Sequence, residues 1–265
     1  MDAVILAGGE IPGALQGATT ASERALIPIN GRPLLDYVVQ SLVTVSPVTR
    51  IICVTTPDAL RTLPAKIGAV EIVGLPSGDK LTHNLLLGAR AATSDQILIV
   101  TGDGPLATGR TWMQFLDGAA VNHLEAAYAV VREDVMEAQF PASGRTYARF
   151  SDGAFSGGNA FLVPRARLEK LESTIETAFN ARKNPMKMAR LLGFGFIVKA
   201  LLKRLPVGEA EAKVSQLLEC RAGRVEVPDA TIAFDVDKPE DLQAAEDFLA
   251  TKKHKEDTKG HEGIS

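Results

Sequence analysis

Short apolar runs alternate with amphipathic segments along the first hundred residues of the chain. The runs have the length of buried strands, and the segments between them carry apolar residues at helical spacing. The predicted strands are residues 3–6, 51–55, 70–73 and 96–100, and the predicted helices are residues 33–42 and 81–92. This alternation predicts an α/β domain of three α/β/α layers, Rossmann-like, with a mostly parallel mixed sheet.

The second half of the chain departs from this pattern in two places. Further strands are predicted at residues 126–131, 147–150, 159–163 and 232–234. Residues 184–220 predict a helical insertion, which Asn184-Pro185 would start. The polar residues 251–265 predict a disordered tail, which leaves residues 1–250 as one domain.

The first part of the insertion, residues 184–205, combines apolar residues with cations. Its cations are Lys187, Arg190, Lys199, Lys203 and Arg204. Gly193 and Gly195 weaken a helix at its centre, so two short helices or a kinked hairpin are expected. The simpler interpretation is a lid on the sheet or a contact in a homodimer. The alternative is an element that contacts a membrane surface or a lipid acceptor.

Composition excludes some classes of protein. The formal charge of −3 over 265 residues gives no general attraction to nucleic acid, so no nucleic-acid partner is expected. Cys53 lies in an apolar run and is expected to be a free core thiol. The N-terminus lacks a basic signal-peptide region, and no apolar stretch approaches the ~20 residues of a membrane span. A cytoplasmic location is therefore expected.

Glycine and aspartate follow two of the predicted strands directly, where open α/β sheets bind ligands. Leu6-Ala7-Gly8-Gly9 ends the first strand, and Gly102-Asp103-Gly104 follows the strand 96–100. Glycines let backbone amides approach a phosphate or a base, although a simple turn would explain them as well. Asp103 is a candidate Mg²⁺ ligand, with a turn or helix-cap residue as the alternative.

Two further clusters carry charge. Arg24 lies between a polar loop and an apolar segment, from which it could reach a bound triphosphate, although a surface arginine is the plainer interpretation. Asp235 and Asp237 project to the same side of an extended segment and could supply a second carboxylate to the metal. Asp237 could instead cap the helix that Pro239 begins.

Taken in order, these motifs resemble those of the MobA-like nucleotidyltransferases. The matching stretches extend through nearly the whole chain: Leu6-Ala-Gly-Gly9, Ala25-Leu-Ile-Pro-Ile-Asn-Gly-Arg-Pro-Leu34, Gly102-Asp-Gly-Pro-Leu106, Gly157-Gly-Asn159 and Asp235-Val-Asp-Lys-Pro-Glu-Asp-Leu242. The resemblance implies a glycosyltransferase-A-like fold and transfer of a nucleoside monophosphate from a nucleoside triphosphate to a small phosphorylated acceptor.

The resemblance also implies roles for individual residues. Leu6, Ala7, Gly8, Gly9 and Gly102 would hold the nucleotide, Asp103 would bind Mg²⁺ with Asp235 or Asp237, and Gly158 and Asn159 would lie near the nucleotide sugar or the acceptor. Lys80 and Thr82 match base- and phosphate-contacting positions of cytidylyltransferase-like members.

This chain departs from the family pattern at two cationic positions. No arginine follows Gly8-Gly9, and Arg24 stands where the usual catalytic lysine is found. Arg24 remains a cation and is assigned a catalytic role with Asp103, although its fork differs in reach from a lysine. Two other functions stay open from the sequence: a nucleotide-binding regulatory protein without activity, and a glycosyltransferase that uses a ready-made sugar nucleotide.

Overall fold

The computed structural model describes residues 1–141, 143–181 and 184–262. Within those residues, nine strands form one mixed sheet and two short strands form a separate hairpin. The strands, in chain order, are β1 Asp2–Ala7, β2 Pro28–Ile29, β3 Arg32–Pro33, β4 Arg50–Thr55, β5 Lys66–Ile67, β6 Val70–Pro76, β7 Gln96–Thr101, β8 Ala126–Arg132, β9 Ala148–Phe150, β10 Gly153–Pro164 and β11 Ala222–Glu226.

The sheet has the strand order β11-β8-β10-β7-β1-β4-β6-β5, with β9 paired to β10 and with β2 and β3 in the separate hairpin. Strands β7, β1, β4 and β6 are mutually parallel, whereas β10 lies antiparallel between β7 and β8. This confirms the predicted α/β class and the mostly parallel mixed sheet.

Helices cover both faces of the sheet. They are α1 Leu34–Val43, α2 Pro57–Leu60, α3 Leu81–Ala91, α4 Gly109–Val121, α5 Glu133–Gln139, α6 Arg165–Lys170, α7 Glu172–Ala181, α8 Pro185–Leu192, α9 Phe194–Leu201, α10 Val207–Leu218 and α11 Pro239–Glu262. The predicted helical insertion corresponds to α8, α9 and α10, and Gly193, with φ of 103°, separates α8 from α9.

Strand β1 shows why an uninterrupted apolar run forms a central strand. Successive side chains of a strand point to opposite faces. Ala3 and Ile5 therefore pack into the core on one face, which also contains Trp112, while Val4 packs with Ala89 of α3 on the other. Both faces are covered, so no polar position is tolerated between the apolar ones.

Three expectations differ from the structure. The strand predicted at residues 232–234 was wrong, because Ala230–Ala233 is a 3-10 helix whose N-cap Asp229 accepts a hydrogen bond from the Thr231 N–H. A buried run of three residues has no resolvable period, so strand and turn look alike. Strand β11, with Gly223 and Arg224 at its centre, gave no strand pattern and went unpredicted.

The third difference concerns the predicted disordered tail. Helix α11 continues through Glu262, and residues 263–265 lie outside the described residues. The segment is rich in Lys and Glu, which are strong helix formers even where nothing is buried. A helix of this kind needs little tertiary contact. Low hydrophobicity alone therefore predicted disorder where the structure has a helix.

The start of β1 is fixed by a buried carboxylate. The Oδ2 atom of Asp2 accepts hydrogen bonds from the backbone N–H groups of Thr93, at 2.6 Å, and Ser94, at 3.2 Å. Burial raises the pKa of Asp2, but these hydrogen bonds outweigh it and hold the pKa below 3.8. The charged form of Asp2 therefore stabilises the fold.

We expect Asp2→Asn to lower the free energy of unfolding by about 1–3 kcal/mol at neutral pH. The folded-state pKa is depressed, so this stabilisation is present above pH 3.8 and is lost as the pH falls through the folded value. Urea unfolding of both proteins at neutral pH and well below pH 3.8 measures it. A difference that does not shrink in acid would contradict the assignment.

No helix in the described part of the chain is both long enough and apolar enough to cross a membrane.

Candidate functional site

The order of the strands creates a crevice between β1 and β7. From β1 the chain builds β4 and β6 on one side and then crosses to β7 on the other. In open α/β sheets, ligands bind at such a switch point, outside the carboxyl ends of the strands. The Gly8-Gly9 and Gly102-Asp103 clusters follow these two strands, so the fold brings them together.

Close backbone packing explains two of the glycines. The Gly102 N–H donates a hydrogen bond to the Leu6 carbonyl at 2.9 Å, and a Cβ on Gly102 would lie 2.4 Å from the Cβ of Ala7. A Cβ on Gly8 would lie 2.3 Å from the Cβ of Ser77, in the loop after β6. Both glycines therefore let three loops converge on the crevice.

We expect Gly102→Ala to lower the free energy of unfolding by roughly 1–3 kcal/mol, because the added methyl group overpacks the contact with Ala7. Gly208→Ala is the matched control, since nothing lies within 4 Å of a Cβ at that helical position. Denaturant unfolding of both variants measures the effect. Equal stability of the two variants would show that the crevice has room for the methyl group.

The converging loops enclose a polar cavity of about 270 Å³. Of the predicted site residues, Leu6, Ala7, Gly8, Gly9, Arg24, Gly102 and Asp103 line it. The loop before α3 also contributes to the wall through Gly78, Asp79, Leu81 and Asn84. The predicted Lys80 is exposed beside this wall, and Thr82 is buried in the first turn of α3.

Asn84 organises this loop, and the sequence gave it no role. It accepts a hydrogen bond from the Gly78 N–H at 2.7 Å and donates one to the Gly78 carbonyl at 2.9 Å. Asn84 is buried, so this two-way bond fixes the loop that faces Gly8. The sequence signal that could have identified Asn84 is a polar residue among the apolar positions of an amphipathic helix.

Arg24 connects two of the predicted carboxylates. Its Nη2 atom lies 3.0 Å from Asp103 Oδ2 and 2.5 Å from Asp237 Oδ1, and it also donates to the Val236 carbonyl. The Arg24 side chain is only 19% exposed. The interpretation of Arg24 as a plain surface residue is therefore wrong, because the fold holds its guanidinium among acidic groups in the cavity.

Asp235 belongs to a second cation–carboxylate pair. Its Oδ2 lies 2.8 Å from Nη1 of Arg145, and its Oδ1 accepts a hydrogen bond from the amide of Asn159. Arg145 also donates to the Asp235 carbonyl at 2.9 Å. Asn159 lies where β10 shifts register against β8, so the irregular strand aims this amide at Asp235.

Burial and the neighbouring carboxylate of Asp103 raise the pKa of Asp235 to about 7, against the opposing effects of Arg145 and Asn159. Asp103 and Asp235 thus lie close enough to repel one another, a repulsion that a bound cation relieves. Mg²⁺ is commonly held by one or two carboxylates together with waters and phosphate oxygens, and this pair fits that donor set.

The third predicted ligand, Asp237, differs from these two. Its side chain is 57% exposed and pairs with Arg24. The start of α11 is capped by Asp241, whose Oδ2 accepts hydrogen bonds from the N–H groups of Asp237 and Lys238. In the described residues, no group of three or more His, Cys, Asp or Glu side chains is placed to hold a metal.

The structure bears on the helix-cap alternative for Asp103 and on the predicted site residue Gly158. Asp103 does not cap the following helix, because Thr108 caps α4, and the Asp103 carboxylate accepts a hydrogen bond from Thr101 Oγ1 at 2.5 Å. Gly158 has a packing reason for being glycine, since a Cβ there would lie 2.8 Å from the Cβ of Ala129.

A second polar cavity adjoins Asp235. It has a volume of about 350 Å³, and Arg145 and Lys238 supply its cations. Lys238 donates a hydrogen bond to the Ser143 carbonyl at 3.0 Å. We call this space the acceptor-side cavity. Neither cation was predicted as a site residue. Arg145 lies in a polar loop without a motif, and in the motif that contains Lys238 only the aspartates were assigned a role.

Comparison with known protein families tests the family resemblance that the arrangement of the site residues suggests. A model of the MobA-like NTP transferase domain matches residues 3–189, from β1 into α8, which is 187 of the 265 residues. The chain belongs to this family. The resemblance predicted from the glycine and aspartate motifs is therefore confirmed.

Individual relatives of this MobA-like domain agree with the assignment. A hypothetical transferase from Thermus thermophilus has 30% sequence identity and a TM-score of 0.76, over 91% of this chain and 98% of that one. The 2-C-methyl-D-erythritol 4-phosphate cytidylyltransferase from the same species shares the fold, with 17% identity, a TM-score of 0.53 and coverage of 94% and 98%.

A curated relative matches over a shorter stretch. The bifunctional protein GlmU of Sinorhizobium fredii is 34% identical over 111 residues, which are 40% of this chain and 23% of that protein. The MobA-like chain thus matches less than a quarter of the length of this relative.

Proposed function

We propose that the protein transfers a nucleoside monophosphate from a nucleoside triphosphate to a small phosphorylated acceptor and releases pyrophosphate. The observation that carries the proposal is the cavity at the switch point, where the Gly8-Gly9 loop, Arg24 and Asp103 converge. Membership of the MobA-like NTP transferase family supports the same reaction class. The 2-C-methyl-D-erythritol 4-phosphate cytidylyltransferase that shares the fold is named for an acceptor that carries a phosphate.

In this proposal the nucleotide occupies the polar cavity. Backbone amides of Gly8 and Gly9 approach the base or the phosphates, and the loop fixed by Asn84 forms the opposite wall. The acceptor lies in the acceptor-side cavity, which adjoins Asp235. The two substrates would therefore meet at the acidic group formed by Asp103 and Asp235.

The reaction requires no covalent enzyme intermediate. An oxygen of the acceptor phosphate forms a bond to the α-phosphorus of the nucleotide, and the bond to the β-phosphate oxygen breaks, so pyrophosphate leaves with that electron pair. The acceptor phosphate is already an anion at neutral pH, so no general base is needed. Catalysis then rests on positioning and on charge neutralisation.

Asp103 and Asp235 would hold Mg²⁺, which when bound neutralises charge on the α-phosphate. Arg24 presents a cation to the same cavity and would neutralise charge that develops during transfer. Its present partners, Asp103 and Asp237, are carboxylates, so a phosphate would compete with them for the guanidinium. Asn159 and Arg145 keep Asp235 in position.

Pyrophosphate release tests the proposal. The protein is incubated with each of the four nucleoside triphosphates, Mg²⁺ and a panel of sugar and polyol phosphates, after a thermal-shift screen has selected the triphosphate that binds. Nucleotide binding without pyrophosphate release from any acceptor would contradict the proposal and favour a regulatory nucleotide-binding protein. Transfer only from a ready-made sugar nucleotide would favour a glycosyltransferase.

A further inference from the structure

An apolar groove lies beside the acceptor-side cavity and has no part in the reaction proposed above. It runs between α10 and the edge of the sheet formed by β8, β10 and β11, and its volume is about 470 Å³. Its walls include Tyr128, Phe150, Phe155, Phe161, Val207 and Val214. The rings of Tyr128 and Phe161 stack with centroids 4.7 Å apart, and Phe161 remains 38% exposed. A groove of this size is in the range of ligand sites.

The two charged residues in the wall of the apolar groove are paired with each other. Nη1 of Arg224 lies 2.8 Å from Oε1 of Glu211, and the guanidinium also lies over the ring of Phe155, 5.2 Å from its centroid. Neither charge is left to bind a polar group. The groove therefore suits a ligand part that makes no hydrogen bonds, such as a hydrocarbon chain.

The apolar groove and the acceptor-side cavity adjoin at Gly157, which lines both. A Cβ at Gly157 would lie 1.9 Å from the hydroxyl oxygen of Tyr128, so glycine lets the tip of this side chain lie at the boundary between the two spaces. Arg145 and Lys238 line the acceptor-side cavity. The anionic head and the apolar chain of one molecule would therefore find suitable surroundings in two adjoining spaces.

Helices α8 and α9 expose large apolar side chains to solvent. Met186 is 69% exposed, Phe194 77% and Leu201 70%, and no residue of α9 is buried. Phe196, Ile197 and Val198 of α9 are partly buried, whereas Phe194 and Leu201 at its two ends are exposed. Lys199 of α9 pairs with Glu209 of α10 at 2.8 Å, so this exposed surface is joined to the helix that forms a wall of the apolar groove.

The positive charge of the segment that contains α8 and α9 favours an anionic partner. Residues 177–208 contain seven Lys and Arg residues and no Asp or Glu, in a chain whose net charge is −3. A symmetric contact between two copies would place the same cations against each other, because a two-fold interface is self-complementary. An anionic membrane surface is complementary to both the cations and the exposed apolar side chains.

We propose that helices α8 and α9 bind an anionic membrane surface, and that the apolar groove takes the hydrocarbon chain of a phosphorylated amphiphile from that surface. That this amphiphile is the acceptor of the nucleotide rests on the proposed function. The acceptor phosphate then lies in the acceptor-side cavity and the hydrocarbon chain lies in the adjoining groove.

Alkyl phosphates of increasing chain length, kept below their critical micelle concentrations, test the apolar groove by calorimetric titration. Affinity is expected to rise about fourfold for each added methylene until the groove is filled. Ala210→Phe places a ring in the groove and should weaken binding of dodecyl phosphate about tenfold or more, whereas Ala212→Phe on the exposed side of α10 should not. Affinity that is independent of chain length would overturn the assignment.

The alkyl phosphates also distinguish a failure of the groove proposal from a failure of the proposed function. Binding that depends on chain length, without pyrophosphate release from any triphosphate, would contradict nucleotidyl transfer and leave the apolar groove as a lipid site. Equal pyrophosphate release with glycerol phosphate and dodecyl phosphate, with equal affinity for both, would support transfer and overturn the groove.

Sedimentation with vesicles tests the surface formed by α8 and α9. The full chain is expected to sediment with vesicles of phosphatidylcholine and phosphatidylglycerol and not with phosphatidylcholine alone, and salt should weaken the binding. The double variant Phe194→Glu and Leu201→Glu should stay in the supernatant, whereas Val121→Glu, at a 76% exposed position on α4, should bind normally. Protein that stays in the supernatant with both vesicles, or dimerises through this surface, would overturn the membrane assignment.

Discussion

Asp103→Asn is expected to abolish Mg²⁺-dependent binding of the nucleoside triphosphate and to lower the rate of transfer at least about a hundredfold. The carboxylate of Asp103 lies in the cavity beside Arg24 and close enough to Asp235 to raise its pKa. Asparagine has the same shape and keeps an oxygen for the hydrogen bond from Thr101, but it removes the charge that a divalent cation requires.

The measurement is calorimetric titration of the triphosphate with and without Mg²⁺, together with the rate of pyrophosphate release. Asp134→Asn is the control, since that side chain is 69% exposed and pairs with Arg132 at the surface, away from the cavity. A thermal melt of the Asp103 variant shows whether the fold is kept. Equal affinity for the Mg²⁺–nucleotide complex in the variant and the parent would rule out the metal role.

Arg24→Ala is expected to lower kcat by about a hundredfold to a thousandfold and to change KM much less. A cation that neutralises charge mainly in the transition state acts on rate more than on affinity. Removal of Arg24 also frees Asp103 and Asp237 from their ion pairs, so Mg²⁺ affinity should stay the same or rise. A purely structural role would instead weaken all three quantities together.

Arg24→Lys distinguishes charge from geometry. Lysine keeps the charge but lacks the planar fork, so a partial recovery of kcat is expected relative to alanine. Arg61→Ala is the control, because Arg61 is 71% exposed and pairs with Asp58 at the surface. Steady-state rates at saturating triphosphate and acceptor provide the comparison. A kcat for Arg24→Ala equal to that of the parent would remove Arg24 from the catalytic proposal.

Local sequence was sufficient for the central strands, the helices between them and the family. The apolar run of β1 followed by Gly8-Gly9, and the β7 strand followed by Gly102-Asp103, depend on neighbours within a few residues. Burial on both faces requires continuous apolar residues, and tight turns require glycine, so both features can be predicted from the local sequence. The short 3-10 helix at residues 230–233 escaped prediction because its apolar run is too short to show a period.

Only the tertiary structure decided how the charged residues of the candidate site are paired. Arg24 meets Asp237 across 213 positions of sequence, and Arg145 meets Asp235 across 90. No local pattern specifies such pairs, because they follow from the order in which strands join the sheet. The register shift in β10, which aims Asn159 at Asp235, is likewise a property of adjacent strands rather than of one segment.

The same division applies to the helical insertion. Its sequence determined that residues 184–205 are apolar and cationic and that glycine interrupts the helix, whereas the structure showed two short helices separated by Gly193. The sequence left open whether the apolar side chains are covered, because a lid and an exposed surface have the same composition. Packing decided this, since α9 keeps Phe194 and Leu201 exposed and the described residues leave the groove beside α10 unfilled.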